Sequence, residues 1–186
     1  AYPRTHITEH FISSETTKSQ DDTSHYQVIE ADVQQQTRFN KPSIDIIAWN
    51  INGIRAMGKK DDLRKLVSDK DPDIICFYEL KCDKYKYMSQ NVKHKYDFLE
   101  AYPYKYFNFS QKSGYSGVAI YSRVKPQSYT FSIGVEDIDK ESRFIQLNFH
   151  SFALISVYVP TSGENLKRLG YRIETWDSNF RAYCAK

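Results

Sequence analysis

The segment Asp73-Ile74-Ile75-Cys76-Phe77 sets four apolar side chains on consecutive positions. In an extended strand, consecutive side chains leave opposite faces, so such a run needs apolar cover on both sides. Ile44-Asp45-Ile46-Ile47-Ala48-Trp49 repeats the pattern, and Gly117 to Tyr121, Phe144 to Phe149 and Phe152 to Val159 read as three further strands. His150-Ser151 separates the last two at a spacing that fits a tight hairpin. Between strands, Asp61 to Asp69 places Leu63, Leu66 and Val67 on one helical face before Pro72 stops the helix. Leu166 to Tyr183 carries Leu169, Ile173, Trp176, Phe180 and Tyr183 at helical spacing. Strands apolar on both faces, alternating with amphipathic helices, define a layered α/β fold.

Residues 1–43 contrast with this pattern. They contain no glycine, are rich in Ser, Thr, Gln, Asp and His, and show no sustained period of 2 or 3.6. Such a stretch is expected to be an extended arm, 1–43, attached to a domain spanning 44–186. Its possible anchors are Phe11, Tyr26, Val28, Ile29, Val33 and Phe39, held against the protein's own surface or a partner's. The arm carries four basic against six acidic residues, and the remainder 22 against 17, so a modestly basic body stands beside an acidic arm. A basic body suits a polyanion such as nucleic acid.

No apolar run approaches the roughly 20 residues that span a bilayer, and no apolar segment follows a basic start as in a secretory leader. Three scattered cysteines, Cys76, Cys82 and Cys184, make neither a disulfide framework nor a four-ligand zinc site, which points to a reducing, intracellular setting. A chain starting at Ala1 is expected to be processed or a fragment, and a processed start suits the nucleus or mitochondrion as its place.

Polar residues gather where the apolar strands end. Asn50 and Asn52 follow one strand, Glu79 another, and Tyr158 and Thr161 flank Pro160 after a third. Carboxylate, amide and hydroxyl oxygens at one rim suit a hard cation, while amide and phenol donors suit a phosphate. The bland alternative is that each residue caps its own strand.

Order and identity together favour the first reading. Ala48-Trp49-Asn50-Ile51-Asn52-Gly53-Ile54-Arg55-Ala56 resembles the first motif of the exonuclease III/AP endonuclease family. Pro72 to Lys81 is similar to its "PDIxxxQExK" segment, and Gly114-Tyr115-Ser116-Gly117-Val118-Ala119 to "GYSGVA". Glu141-Ser142-Arg143-Phe144-Ile145 resembles "EGRxI", and Val157 to Gly163 resembles "xYxPNxG". The resemblance implies an exonuclease III-like fold, of which this chain is one half: half of a four-layer αββα sandwich, each half contributing one sheet. It further implies that Glu79 is the metal ligand for Mg²⁺ or Mn²⁺ and that Asn50 and Tyr158 are catalytic. Asn52, Tyr115, Arg143 and Thr161 would contact phosphate or DNA. Enzymes of the family cut DNA 5′ to abasic sites.

The chain also departs from the family pattern. Tyr78 replaces Gln, Leu80 replaces Thr, Ser142 replaces Gly, Thr161 replaces Asn, and Glu164 brings negative charge to a DNA-facing loop. The second-half strings "GDxN" and "SDH", which supply the base and its partners, do not occur. By itself the chain is therefore expected to be inactive. An obligate protein partner is expected over an open sheet face, either a complementing second half or a large assembly in which the chain is a catalytically dead structural subunit. DNA is a further partner, and a bare nucleic-acid-binding module is the third reading.

Two other features have plain structural readings. Lys84, Lys86, Lys93, Lys95 and Lys105 interleave with Tyr85, Tyr87, Tyr96, Tyr102, Tyr104 and Tyr106. Solvated lysines beside packed tyrosines are expected there rather than a nucleic-acid surface. Cys76, on a buried strand, reads as a small core hydrophobe.

Overall fold

The structure, a computed structural model, describes residues 25–31, 38–57, 62–88 and 101–186. Its strands are β1 (Tyr26–Glu30), β2 (Ile46–Asn50), β3 (Ile74–Tyr78), β4 (Tyr104–Asn108), β5 (Val118–Ser122), β6 (Ser128–Thr130), β7 (Phe144–Asn148) and β8 (Ala153–Val157). The helices are α1 (Ile54–Met57), α2 (Asp62–Lys70), α3 (Lys84–Met88), α4 (Glu136–Asp139) and α5 (Ser178–Cys184). A five-stranded sheet runs β1-β4-β5-β3-β2, mostly antiparallel with a parallel β2–β3 pair, and a three-stranded sheet runs β6-β7-β8.

The consecutive apolar residues of β3 divide between two cores, as their alternation requires. Ile75 and Phe77 join Phe107, Ala119 and Tyr121 on the outer face, where Ile54, Met57 and Leu80 cover them. Ile74 and Cys76 join Tyr106, Val118 and Ile120 on the inner face, against Ile145, Leu147 and Phe149. A third cluster lies outside the smaller sheet, where Phe144 meets Trp176, Phe180 and Tyr183. All four layers of the sandwich are therefore begun within this chain. The expectation that one half supplies one sheet is corrected: β6–β8 of this chain already face the larger sheet. Cys76 is buried, and burial pushes its thiol up to about 11, in keeping with a core role.

Part of the polar arm is built into the sheet. β1 pairs antiparallel with β4, from Tyr26 opposite Asn108 to Glu30 opposite Tyr104. Tyr26 stacks on Phe131 at 4.8 Å, and Phe39 packs against Phe149 and Phe152. Of the six expected anchors, Phe11 and Val33 fall outside the described residues. The alternating Lys/Tyr stretch conceals β4, in which Tyr104, Lys105 and Tyr106 are all buried. Tyr87 and Tyr102 are also core residues, whereas Tyr85 is exposed, and Lys93, Lys95 and Tyr96 lie outside the described residues.

The single helix expected over 166–183 is broken. Asn165 and Leu166 adopt left-handed φ values of 53° and 58°, so the first turn, Glu164–Leu166, stays separate. A π-helical segment, Tyr171–Asp177, then leads into α5. Leu169 and Ile173 are exposed, and Trp176 is the residue that anchors this end of the chain.

Gly117 allows the chain to enter β5. Its φ is +86°, and a Cβ there would lie 3.1 Å from Leu80 Cβ. Gly117→Ala is expected to cost about 1–3 kcal/mol, measured by urea denaturation. Tyr102 donates a hydrogen bond to the Pro72 carbonyl at 2.6 Å, and burial pushes its phenol up to about 12 from an ordinary 10. A raised value means that the folded protein holds this proton more tightly, so the stabilisation is complete below pH 10 and lost as pH rises toward 12. Tyr102→Phe is expected to lower stability by about 1–3 kcal/mol at pH 8 and to flatten the decline above pH 10, read from thermal melts across the alkaline range.

Candidate active site

Three strands end at one rim. Beyond β2, the Asn52 N–H bonds Asn50 Oδ1 at 3.0 Å in a local turn. Ile51 N–H reaches the Tyr78 carbonyl at 3.0 Å and Gly53 N–H reaches the Glu79 carbonyl at 2.8 Å, tying this loop to the end of β3. Leu80 N–H bonds the Gly117 carbonyl, which adds the entry of β5. Asn52 and Glu79 both sit at positive φ, 47° and 59°, where the chain leaves strand geometry.

Glu79 is central to the rim. Its side chain is 18% exposed; one carboxylate oxygen accepts the Tyr158 hydroxyl and the other pairs with Lys81 Nζ at 2.8 Å. Lys81 Nζ also donates to Asn52 Oδ1 at 2.5 Å. Burial opposes ionisation of Glu79, but hydrogen bonds from Lys81, Tyr158 and Asn50, with the Lys81 charge, outweigh it and bring the carboxyl down to about 2. Tyr158 moves the opposite way: burial and the neighbouring carboxylate push its phenol up to about 12. At neutral pH the pair is therefore a carboxylate accepting from a neutral phenol.

Tyr158 is held from both sides. Tyr78, the residue in place of the family Gln, stacks on it at 6.1 Å and accepts a 3.3 Å hydrogen bond from Ser156 in β8. The Arg143 guanidinium lies 4.8 Å from the Tyr158 ring centre and donates to its backbone carbonyl at 3.2 Å. Arg143 also donates to Glu141 at 2.5 Å and to the Tyr115 hydroxyl at 2.7 Å. Arg168 reaches both Glu141 and, at 3.0 Å, the same Tyr115 oxygen. That oxygen accepts from two guanidiniums, which leaves its own proton available to an outside acceptor.

Six of the seven residues singled out from sequence, Asn50, Asn52, Glu79, Tyr115, Arg143 and Tyr158, thus belong to one connected network. Thr161 lies exposed three residues beyond Tyr158, and among the described residues the network does not extend to it. Lys81, Glu141 and Arg168 are members that sequence reasoning did not assign. Lys81 and Glu141 stand inside the quoted motifs, but Arg168 carries no sequence signal beyond its charge. Ser142 takes the family glycine's left-handed place, φ 52°, and donates from Oγ to the Phe109 carbonyl at 2.7 Å.

As a metal site the donor set is sparse. Glu79 offers hard carboxylate oxygens and Asn50 and Asn52 add amide oxygens, which suits Mg²⁺ or Mn²⁺ in kind. In number it falls short, since no group of three or more His, Cys, Asp or Glu side chains converges among the described residues. A divalent ion could be anchored here through Glu79, with its remaining ligands coming from elsewhere. The surrounding charge suits a phosphodiester: Lys81, Arg143 and Arg168 against Glu79 and Glu141.

Two packed sheets with a polar rim at their strand ends can be compared with known proteins. The sequence pattern of the endonuclease/exonuclease/phosphatase family matches residues 47–183. The DNA repair nuclease APEX1 of Danio rerio is 42% identical over 142 residues, covering 76% of this chain and 44% of its own length. The exodeoxyribonuclease of Bacillus subtilis is 36% identical over 138 residues, covering 74% and 51%. An AP endonuclease structure from Archaeoglobus fulgidus superposes with a TM-score of 0.60 at 25% identity, covering 76% of this chain and 51% of that one. The chain belongs to the endonuclease/exonuclease/phosphatase family, in its exonuclease III/AP endonuclease branch, and carries that nuclease domain over about three quarters of its length. It spans about half the length of the curated relatives it matches.

The two arginines of the network differ in burial, 4% exposed for Arg143 against 34% for Arg168. Arg143→Met removes a buried guanidinium together with its bonds to Glu141, Tyr115 and the Tyr158 carbonyl, and is expected to cost about 3–5 kcal/mol. Arg168→Met is expected to cost under about 1 kcal/mol. Parallel denaturant titrations of the two variants check the difference.

Proposed function

We propose that this chain is a fragment or split half of a metal-dependent DNA repair nuclease of the AP endonuclease type, inactive by itself and completed by groups from the other half of that domain. The observation that carries this reading is the Glu79–Tyr158 pair, clamped by Arg143 and Tyr78 at a rim of three strand ends. Tyr158 would direct its phenol at the scissile phosphate, where negative charge grows in the transition state. Arg143 and Tyr115 would hold the flanking backbone, and Asn52, bonded to Lys81, would sit near the phosphate, while Asn50 and Lys81 keep the Glu79 carboxylate ionised and oriented. A Mg²⁺ or Mn²⁺ ion held through Glu79 would supply charge stabilisation at the reacting oxygens.

A second reading, a catalytically dead structural subunit of a larger assembly, draws on a specific observation. Among the described residues Glu79 belongs to no group of three or more His, Cys, Asp or Glu side chains, and both its oxygens are already bonded to Tyr158 and Lys81.

The two readings separate on a duplex carrying one abasic site in Mg²⁺ buffer. The chain alone is expected to leave the strand intact, and its native complex to cut 5′ to the abasic site. Glu79→Ala and Tyr158→Phe should each lower the rate of the complex by at least about a hundredfold. A complex that does not cut, or that cuts equally well with Glu79→Ala, removes the nuclease reading in favour of the structural one.

A further inference from the structure

Tyr78 and Glu79 are neighbours in sequence, and both reach Tyr158. Glu79 accepts the Tyr158 hydroxyl, and Tyr78 lays its ring against the Tyr158 ring at 6.1 Å, with 21° between the planes. One residue therefore holds the polar end of this phenol, and the residue before it holds the body. Glu79 and Arg143 match the family strings. Tyr78 does not, since it stands where the string has Gln.

Strand geometry explains this double reach. Alternation puts Ile74, Cys76 and Tyr78 of β3 on the inner face of the larger sheet, and Leu154, Ser156 and Tyr158 on the inner face of the smaller one. Tyr78 is thus the last inner-face residue of β3. It extends to the facing sheet, where the Ser156 hydroxyl donates to its phenol oxygen at 3.3 Å. Ser156 is 2% exposed, so the far end of the Tyr78 ring is anchored inside the sandwich. Directly after Tyr78 the chain turns. Glu79 takes a left-handed φ of 59° and delivers its carboxylate to the hydroxyl of the same Tyr158.

The two partners of the pair belong to different sheets. Glu79 leaves β3 of the larger sheet, and Tyr158 leaves β8 of the smaller one. Arg143 contacts the Tyr158 ring at 4.8 Å, but it stands at the start of β7, the strand paired with β8, so it fixes the ring within its own sheet. The Tyr78 ring is the contact that comes from the Glu79 side. A tyrosine offers a flat face to a neighbouring ring, whereas glutamine is shorter and offers none.

We infer that Tyr78 is a positioning residue for Tyr158: the face of its ring, anchored through Ser156, holds the phenol of the smaller sheet on the Glu79 carboxylate of the larger one. What the positioned phenol then acts on rests on the nuclease reading above; the positioning itself does not. One consequence runs against the family pattern. Tyr78→Gln, which restores the family residue, should loosen the Glu79–Tyr158 pair, because the glutamine removes the only flat face that β3 turns toward Tyr158 among the described residues.

A double-mutant cycle on the full chain tests this without a cleavage assay. Tyr158→Phe deletes the hydroxyl that Glu79 accepts, so the drop it causes in the urea midpoint reports whether that hydroxyl is on its target. The drop should be clear in the parent chain and should persist in a Tyr78→Phe background, which keeps the ring. In a Tyr78→Gln background it should shrink to less than half. Tyr78→Leu, apolar but without a flat face, should behave like Tyr78→Gln and takes its place if that variant does not fold. No drop in the parent chain, an equal drop in every background, or a drop lost as fully with Tyr78→Phe as with Tyr78→Gln overturns the inference. In a complex that cuts abasic DNA, Tyr78→Gln should lower turnover at least tenfold with little change in DNA affinity, and Tyr78→Phe should recover most of that loss. If no complex cuts, the nuclease reading falls, and the cycle still decides what positions Tyr158.

Discussion

The structure depends on strands that are apolar on both faces. β3 and β5 lie in the middle of the larger sheet, with Ile75, Phe77, Ala119 and Tyr121 turned toward the helices and Ile74, Cys76, Val118 and Ile120 toward the second sheet. Neither side can meet water without a large loss, so three layers are fixed once these two strands pair. Trp176 and Phe180 then cover the outer face of β7 and β8 and complete the fourth. The rim follows from this arrangement, because strands buried on both sides leave only their ends for polar chemistry.

Much of this was legible in the sequence, for identifiable reasons. The strands carrying Ile74–Phe77, Val118–Tyr121 and Phe144–Leu147 announce themselves as runs of apolar residues between turn signals. Asn50, Glu79, Tyr115, Arg143 and Tyr158 stood in recognisable strings, and the structure brings them into one network. β1 and β4 were not legible. Their residues, Tyr26 to Glu30 and Tyr104 to Asn108, mix polar and aromatic side chains, and their strand character comes from each other across the sheet rather than from local pattern. The division of layers also could not be read, because which sheet a strand joins is decided by long-range pairing. Arg168 was missed for a similar reason: its partners Glu141 and Tyr115 are distant in sequence.

The departures from the family pattern prove to be accommodated rather than random. Tyr78 exchanges an amide for a ring that backs Tyr158 and meets the facing sheet through Ser156. Ser142 accepts a left-handed backbone and gains a hydrogen bond to Phe109 in return. Leu80 becomes a fully buried core residue against Gly117. Tyr78 and Leu80 flank Glu79 in sequence, so these two changes fall beside the Glu79–Tyr158 pair and not on it.

The pairing of β1 with β4 has a kinetic consequence. Glu30 and Tyr106 are bonded across 76 residues of chain, whereas β7 and β8 meet through a turn of a few residues. Closing a loop of that size is slow compared with closing a hairpin, so β1 is the strand expected to join last. Until it does, β4 is an edge, and a ribosome will have released residues 26–30 long before their partner is made. During synthesis this short strand must therefore wait for β4 without pairing elsewhere, and the charge of Glu30 and the polar Gln27 among its five residues disfavour such pairing.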